Sequence, residues 1–226
     1  MKDTETSEGL ELSTAVSFFS RQIFIRKLLP LLRVAASSDA RQYSPRIVNV
    51  LGTGTETANL FLDDLTLKEP GHFSIPSYMG HSTTMTSVSL KRLAEQPENK
   101  DIVIIHHHPG LVATDILKKS WGDQWDESKP PGGPPPPNNL SRSTAEEAGW
   151  RSLYVATSAR YGGSGNPLLK GQKQGSTVLG TDNGSLICVG DKLDTLQLDG
   201  LLDSLEKSRA AAVIWNKTNE VVGKYL

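Results

Sequence analysis

The sequence predicts an α/β protein, a three-layer sandwich around an incomplete parallel sheet, on three observations. Two short apolar runs, residues 46–51 and 102–105, are each followed by turn residues, as strands buried on both faces of a parallel sheet are. Segments with helical apolar spacing alternate with them, which predicts right-handed crossovers. The chain of 226 residues is 37% hydrophobic and 22% charged, ordinary values for a globular chain, and residues 1–226 are read as one domain.

In chain order, residues 10–33 carry Leu12, Val16, Phe19, Ile23 and Leu28 at helical spacing. Thr6 or Ser7 is the expected cap, and Pro30 should end or kink this helix near its last turns. The strand 46–51 runs into Gly52-Thr53-Gly54-Thr55. Residues 59–77 read as irregular, with Pro70, Gly71 and Pro76, and 79–95 as the second helix. The strand 102–105 runs into His106-His107-His108-Pro109-Gly110. Residues 129–139 are a proline-rich loop that admits no regular structure. The third helix spans 143–158, opened by Ser143 or Thr144 with Glu146 and Glu147 in its first turn. Asp182-Asn183-Gly184 signals a hairpin over 175–189, and 198–215 a terminal helix. Two strands alone make a poor sheet, so neighbouring strands are expected before the first helix.

Composition narrows the class of partner. A net charge of −1 gives no field that draws nucleic acid or an anionic membrane. No run of about 18 apolar residues stands in the sequence, and the acidic start has no apolar stretch of the signal-peptide kind. The single cysteine, Cys188, allows no internal disulfide and suits a reducing compartment. A cytoplasmic protein with a small-molecule substrate is expected. Cys188 lies in an apolar run and reads as a small buried residue, not a nucleophile.

Specific segments resemble a known family. Thr4-Glu5-Thr6-Ser7-Glu8-Gly9-Leu10 followed by Phe24-Ile25-Arg26-Lys27-Leu28-Leu29-Pro30-Leu31-Leu32 resembles the fourth helix of short-chain dehydrogenase/reductases. Arg46-Ile47-Val48-Asn49-Val50 resembles their fifth strand, and His108-Pro109-Gly110-Leu111-Val112-Ala113-Thr114 the Pro-Gly motif after their sixth. Ala156-Thr157-Ser158-Ala159-Arg160-Tyr161 resembles the close of a later helix in a fungal branch of that family. The resemblance runs from Thr4 to about Trp215. It implies a Rossmann-like fold and NADP(H)-dependent reduction of a carbonyl or oxidation of an alcohol, in a fungal secondary-metabolite pathway. It also implies that the chain starts at the fourth helix, after the nucleotide-binding half.

The resemblance assigns positions to the family's catalytic groups, and this chain departs from the pattern there. Met79 falls where the proton-donating Tyr would stand and Thr83 where the Lys four residues later would stand. A one-residue shift offers Tyr78, with Ser82 at the Lys position. The family's Ser falls on Gly52 and its relay Asn on Ser17. The candidates for proton transfer are therefore Tyr78 and His81, the second placed near a helix start whose dipole favours neutral imidazole. Pro109, Gly110, Val112 and Thr114 match the segment that meets the nicotinamide end of the cofactor. Gly52-Thr53-Gly54 follows a strand, as a phosphate-binding turn does, but no Gly follows three residues later and a plain turn is the favoured reading.

His106-His107-His108 invites a metal reading. Strand alternation places His106 and His108 on one face and His107 on the other, and no Cys or carboxylate stands at ligand spacing, so no metal is expected. A sheet edge left unpaired should be covered by a homodimer or aggregate. Two alternatives stay open beside the redox enzyme. One is an inactive relative that binds or scaffolds, or an incomplete gene model. The other is a pocket that guides cyclisation or isomerisation without redox chemistry.

Overall fold

A computed structural model of the chain describes residues 5–38, 43–115 and 143–226. The proline-rich segment 129–139 and Thr4, the first residue of the resembling N-terminal segment, lie outside them. Among the described residues three parallel strands form one sheet in the order β1 (Arg46–Val50), β2 (Val103–His107), β3 (Ile187–Val189). Ile47 pairs with Ile104 and Asn49 with His106, while His106 in turn pairs with Cys188.

The first helical segment is longer than its proline suggests. Glu11 caps it, not Thr6 or Ser7: its carboxylate accepts the N–H of Ser13 at 2.8 Å and of Thr14 at 2.7 Å. One α turn, Leu12–Thr14, passes through a π-helical stretch, Ala15–Phe19, into α1 (Ser20–Ala36). Pro30 sits inside α1 on its exposed side and does not end it. The neighbouring Leu29 is buried in the core, so tertiary packing holds the helix across the missing N–H.

The second helix, α2 (Ile75–Ala94), begins one turn earlier than the pattern indicates. Ser74 accepts the N–H of Ser77 at 3.1 Å and Pro76 fits the first turn, so the proline opens this helix. The third, α3 (Ala145–Thr157), has the expected capping box: Thr144 Oγ1 accepts the Glu147 N–H at 3.1 Å, and Glu147 accepts the Thr144 N–H at 2.8 Å.

The hairpin expected over 175–189 is replaced by β3, a third strand that adds to β2 in parallel. Gly184 does turn, with φ +82°, but the residues before it form turns and no ladder. The terminal helix is two helices, α4 (Asp199–Lys207) and α5 (Ala210–Val222), broken where Arg209 takes a left-handed φ of +65°.

Strand alternation divides the core. Ile104, Cys188 and Leu186 pack with Phe18, Met85 and Ile214 from the π stretch, α2 and α5. Ile105, Ile187 and Val189 pack on the other face with Val155 of α3 and with Tyr161. Helix layer, sheet and helix layer make the predicted three-layer α/β sandwich, a Rossmann-like arrangement. The expected right hand of both crossovers is not observed. The strand order advances in one direction while α2 and α3 lie on opposite faces, so the two connections have opposite hands.

Candidate functional site

In open α/β sheets ligands gather beyond the carboxyl ends of the strands. Here those ends form one row. Leu51 N–H donates to His107 O at 2.9 Å and His108 N–H to Val189 O at 2.9 Å, so the turns after β1, β2 and β3 stand side by side. Beside them, the Arg21 guanidinium donates to Val50 O and approaches Asn49 Oδ1 at 3.5 Å. Burial lowers the Arg21 pKa, and the nearby Tyr78 opposes that shift.

Tyr78 lies in the first turn of α2, half-buried, its hydroxyl 3.5 Å from Ser13 O and its ring stacked on Phe73. His81 lies in the second turn, not at the helix start, and is neither a cap nor a surface residue. It is 2% exposed, stacks on Phe61, and its Nε2 accepts the Phe61 N–H at 3.1 Å. Nε2 as acceptor puts the ring proton on Nδ1. Burial lowers the His81 pKa, against the Leu65 backbone and Asp64, which raise it. The ring thus fixes the loop after β1 to α2.

Three of the positions that resemble the family's catalytic groups hold small residues, Ser17, Gly52 and Thr83, and the fourth holds Met79. A Cβ at Gly52 would stand 3.0 Å from Thr83 Oγ1, and Thr83 itself meets Thr55 Oγ1 at 3.3 Å. Met79 is exposed. Ser17 is buried in the π-helical stretch.

After β2, Gly110 takes φ +89°, and a Cβ there would come within 3.0 Å of Asp191 Cβ. Pro109 O accepts from Arg151 at 3.3 Å, and Val112 bridges to Ser143. Thr114 is exposed. Tyr78 and His81 make their contacts with Ser13, Phe73 and Phe61, whereas Pro109, Gly110 and Val112 make theirs around Asp191, Ser143 and Arg151. The two sets flank the row of strand ends from different sides.

The Gly52-Thr53-Gly54 turn is already occupied. Glu56 accepts the Gly54 N–H at 2.6 Å and the Thr53 hydroxyl at 2.8 Å. A backbone amide that could meet a phosphate is thus taken by a carboxylate of the chain itself, and a pyrophosphate does not fit there. At Gly110 the direction a Cβ would take is filled by Asp191, so a glycine there lets the turn after β2 pack closely on the turn after β3.

Beneath the row lies a cluster that sequence reasoning missed. The Glu56 and His106 side chains are fully buried, with Oε1 3.7 Å from Nδ1. Ser87 Oγ lies 2.6 Å from Glu56 Oε1 and 2.7 Å from His106 Nδ1. A hydroxyl between carboxylate and imidazole is not a nucleophile arrangement, since the imidazole must lie between the other two. Cys188 completes the group: one ligand atom from each of Glu56, His106 and Cys188 lies within 4.8 Å of the others. Burial, with Arg21 and the neighbouring histidines, holds His106 down to about 3, and burial with Glu56 pushes Cys188 up to about 12. Without a cation, both therefore stand neutral. His106 and His107 do alternate between faces as expected, while His108 has left the strand and meets Leu51 O at 3.3 Å. The sequence signal for the cluster was present only as Cys188 and His106 in two strands; their register made them neighbours.

No family model matches the chain. It is similar to curated fungal oxidoreductases. An NmrA-like family domain-containing oxidoreductase, notO, of an Aspergillus species is 35% identical over 157 residues, 70% of this chain and 41% of that protein. Oxidoreductase andH of Emericella variicolor is 33% identical over 191 residues, 82% of this chain and 49% of the relative. Oxidoreductase lepF of Aspergillus flavus is 32% identical over 116 residues, covering 50% and 31%. The chain spans less than half the length of each. Homology to fungal oxidoreductases is the level at which these comparisons agree, and the first of them carries an NmrA-like domain, which is distinct from the short-chain family in the strict sense. No helix among the described residues is long and apolar enough to cross a membrane.

Proposed function

We propose that residues 1–226 form one domain of a short-chain dehydrogenase/reductase-like, NADP(H)-dependent oxidoreductase acting on a carbonyl or alcohol intermediate of fungal secondary metabolism. The observation that carries this reading is the Pro109-Gly110 turn, with Gly110 at φ +89°, set at the carboxyl end of the central parallel strand β2 in a homologue of fungal oxidoreductases. Gly110, Val112 and Thr114, with Pro109 fixing the turn, would hold the nicotinamide end of the cofactor. When bound, that ring supplies or accepts a hydride. Tyr78 would hold the proton that goes to or comes from the substrate oxygen, with the Arg21 charge near it doing the work of the absent Lys. His81 is kept as a positioning residue: its ring stacks on Phe61 and so sets the loop that borders Tyr78.

The test is thermal unfolding of the purified chain with and without saturating NADPH. A ligand that binds only the folded state raises the transition, so an upward shift that shrinks in Gly110→Val supports the reading. A transition unmoved by NADPH or NADH overturns it. That outcome would favour a second reading, which the Glu56-filled turn and Thr83 at the Lys position support: a pocket that works without redox chemistry, or a binding partner. A homodimer is proposed as well, because Phe24, Leu28 and Leu31 line one exposed side of α1 and β1 is an edge strand among the described residues. A monodisperse monomer in sizing would rule it out.

A further inference from the structure

We propose that Glu56, His106 and Cys188 form a buried binding site for one divalent cation of the zinc class. The site is independent of the cofactor reading above. It rests on four observations.

The first is the donor set. A carboxylate oxygen, an imidazole nitrogen and a thiol sulfur lie within 4.8 Å of one another. Oxygen, nitrogen and sulfur together suit Zn2+ and its borderline relatives, whereas Mg2+ and Ca2+ ask for oxygen alone.

The second is the separation. Bonds of about 2.0–2.3 Å at tetrahedral angles put neighbouring ligand atoms roughly 3.3–3.7 Å apart. Glu56 Oε1 and His106 Nδ1 are already 3.7 Å apart. The Cys188 sulfur lies within 4.8 Å of the other two ligand atoms, so at most a small inward shift completes the set.

The third is charge. The Glu56 side chain is fully buried, yet its partners are dipoles: the Thr53 and Ser87 hydroxyls and the Gly54 N–H. Buried carboxylates are ordinarily paired with a cation or bound to a metal. A dication held by one carboxylate, one thiolate and one neutral imidazole sums to zero, which is the net charge that a water-free site tolerates best. Binding balances as M2+ plus the Cys188 thiol giving the metal thiolate and one released proton.

The fourth is rigidity. His106 and Cys188 are register partners on the adjacent strands β2 and β3 and face the same side, so two ligands are preset by the sheet. The third comes from the tight turn after β1. The Ser87 hydroxyl sits between Glu56 and His106 and turns aside when the ion enters. Coordination through Nδ1 keeps the ring proton on Nε2.

The probe is Co2+ added to chelator-stripped protein, read by absorption and followed by displacement with Zn2+. One equivalent should bind, with tetrahedral visible bands and a thiolate-to-cobalt charge-transfer band in the near ultraviolet. Cys188→Ser should lose the charge-transfer band, Glu56→Gln should weaken binding at least tenfold, and Ser87→Ala should retain it. His72→Gln, a histidine outside the cluster, serves as the control and should match the wild type. Because core variants can fail to fold, a wild-type measurement stands beside them: Zn2+ should release close to one proton per ion bound, reported by a pH indicator in weak buffer. Absence of the charge-transfer band in the wild type, its survival in Cys188→Ser, or zinc uptake without proton release overturns the site.

Discussion

Asp64 pegs the loop that joins β1 to the helix bearing Tyr78, and its removal has a calculable effect. The carboxylate accepts the N–H of Lys68 at 3.0 Å and of Glu69 at 2.9 Å, and it meets His72 Nδ1 at 2.9 Å. The side chain is 7% exposed. His72 stacks on Phe61 at 3.9 Å, and Phe61 stacks on His81, so the peg reaches α2 through two ring contacts. Hydrogen bonds to a charged group contribute about 1.5–3 kcal/mol each. Lys68 and Glu69 are exposed residues whose freed amides regain water, so Asp64→Ala should cost about 2–3 kcal/mol in total, not the full sum. That is a large part of the 5–15 kcal/mol typical of a domain. The pH dependence has a definite sign. Burial pushes the Asp64 carboxyl up, but the Glu69 and Lys68 amides and His72 outweigh it and hold the group below its usual value. A depressed carboxyl gives stability that is whole above its unfolded pKa, about 3.9, and fades as pH falls through the folded one. Urea unfolding of wild type and Asp64→Ala at pH 7 and at the most acid pH where both fold should show the gap narrowing in acid. A gap as wide in acid as at pH 7 would refute the carboxylate's role and leave only lost packing.

Other changes follow from single observations. Gly110→Val forces a β-branched residue to φ +89° against Asp191 and should cost about 1–3 kcal/mol, seen as a lower denaturant midpoint. Pro30→Ala restores an amide inside α1 on its exposed side and should raise stability by about 1–3 kcal/mol in the same assay; a loss would show that the proline's φ or a kink is needed. Thr144→Ala breaks the capping box of α3 and should cost about 1 kcal/mol, with the lost helical signal confined to that helix by hydrogen exchange. Acidification below about pH 6.5 should weaken the wild type, because buried His81, His106 and His107 resist the proton that the unfolded chain accepts; His81→Asn should make that limb shallower without abolishing it.

The layer architecture was legible because β1 and β2 are continuous apolar runs between turn residues, a pattern that survives without knowledge of partners. β3 was not. Ile187-Cys188-Val189 is three residues long, too short for a period, and the Asn183-Gly184 turn beside it imitates a hairpin. The start of α2 was misplaced because Pro76 was counted with the loop, although a proline in a first turn costs nothing. Periodicity also hid what α2 buries. Thr83, Thr84, Thr86, Ser87 and Ser89 read as a polar surface, yet each is buried between the sheet and its covering helices. Some of these hydroxyls are satisfied by distant parts of the chain: Thr84 bonds the backbone of Thr57, and Ser87 meets Glu56 and His106.

The site was legible in one part and hidden in another for the same reason. Pro109-Gly110 announces itself locally, since a glycine at positive φ after a strand depends only on its own turn. Glu56 announces nothing, because its three donors and its two neighbouring ligands lie on a turn, a helix and two strands that only folding assembles. That carboxylate also decides between two uses of the same turn. A backbone amide can hold either the chain's own anion or a phosphate, and bringing a second anion beside Glu56 would add like-charge repulsion in a buried place. The turn after β1 therefore serves the buried cluster and not a phosphate.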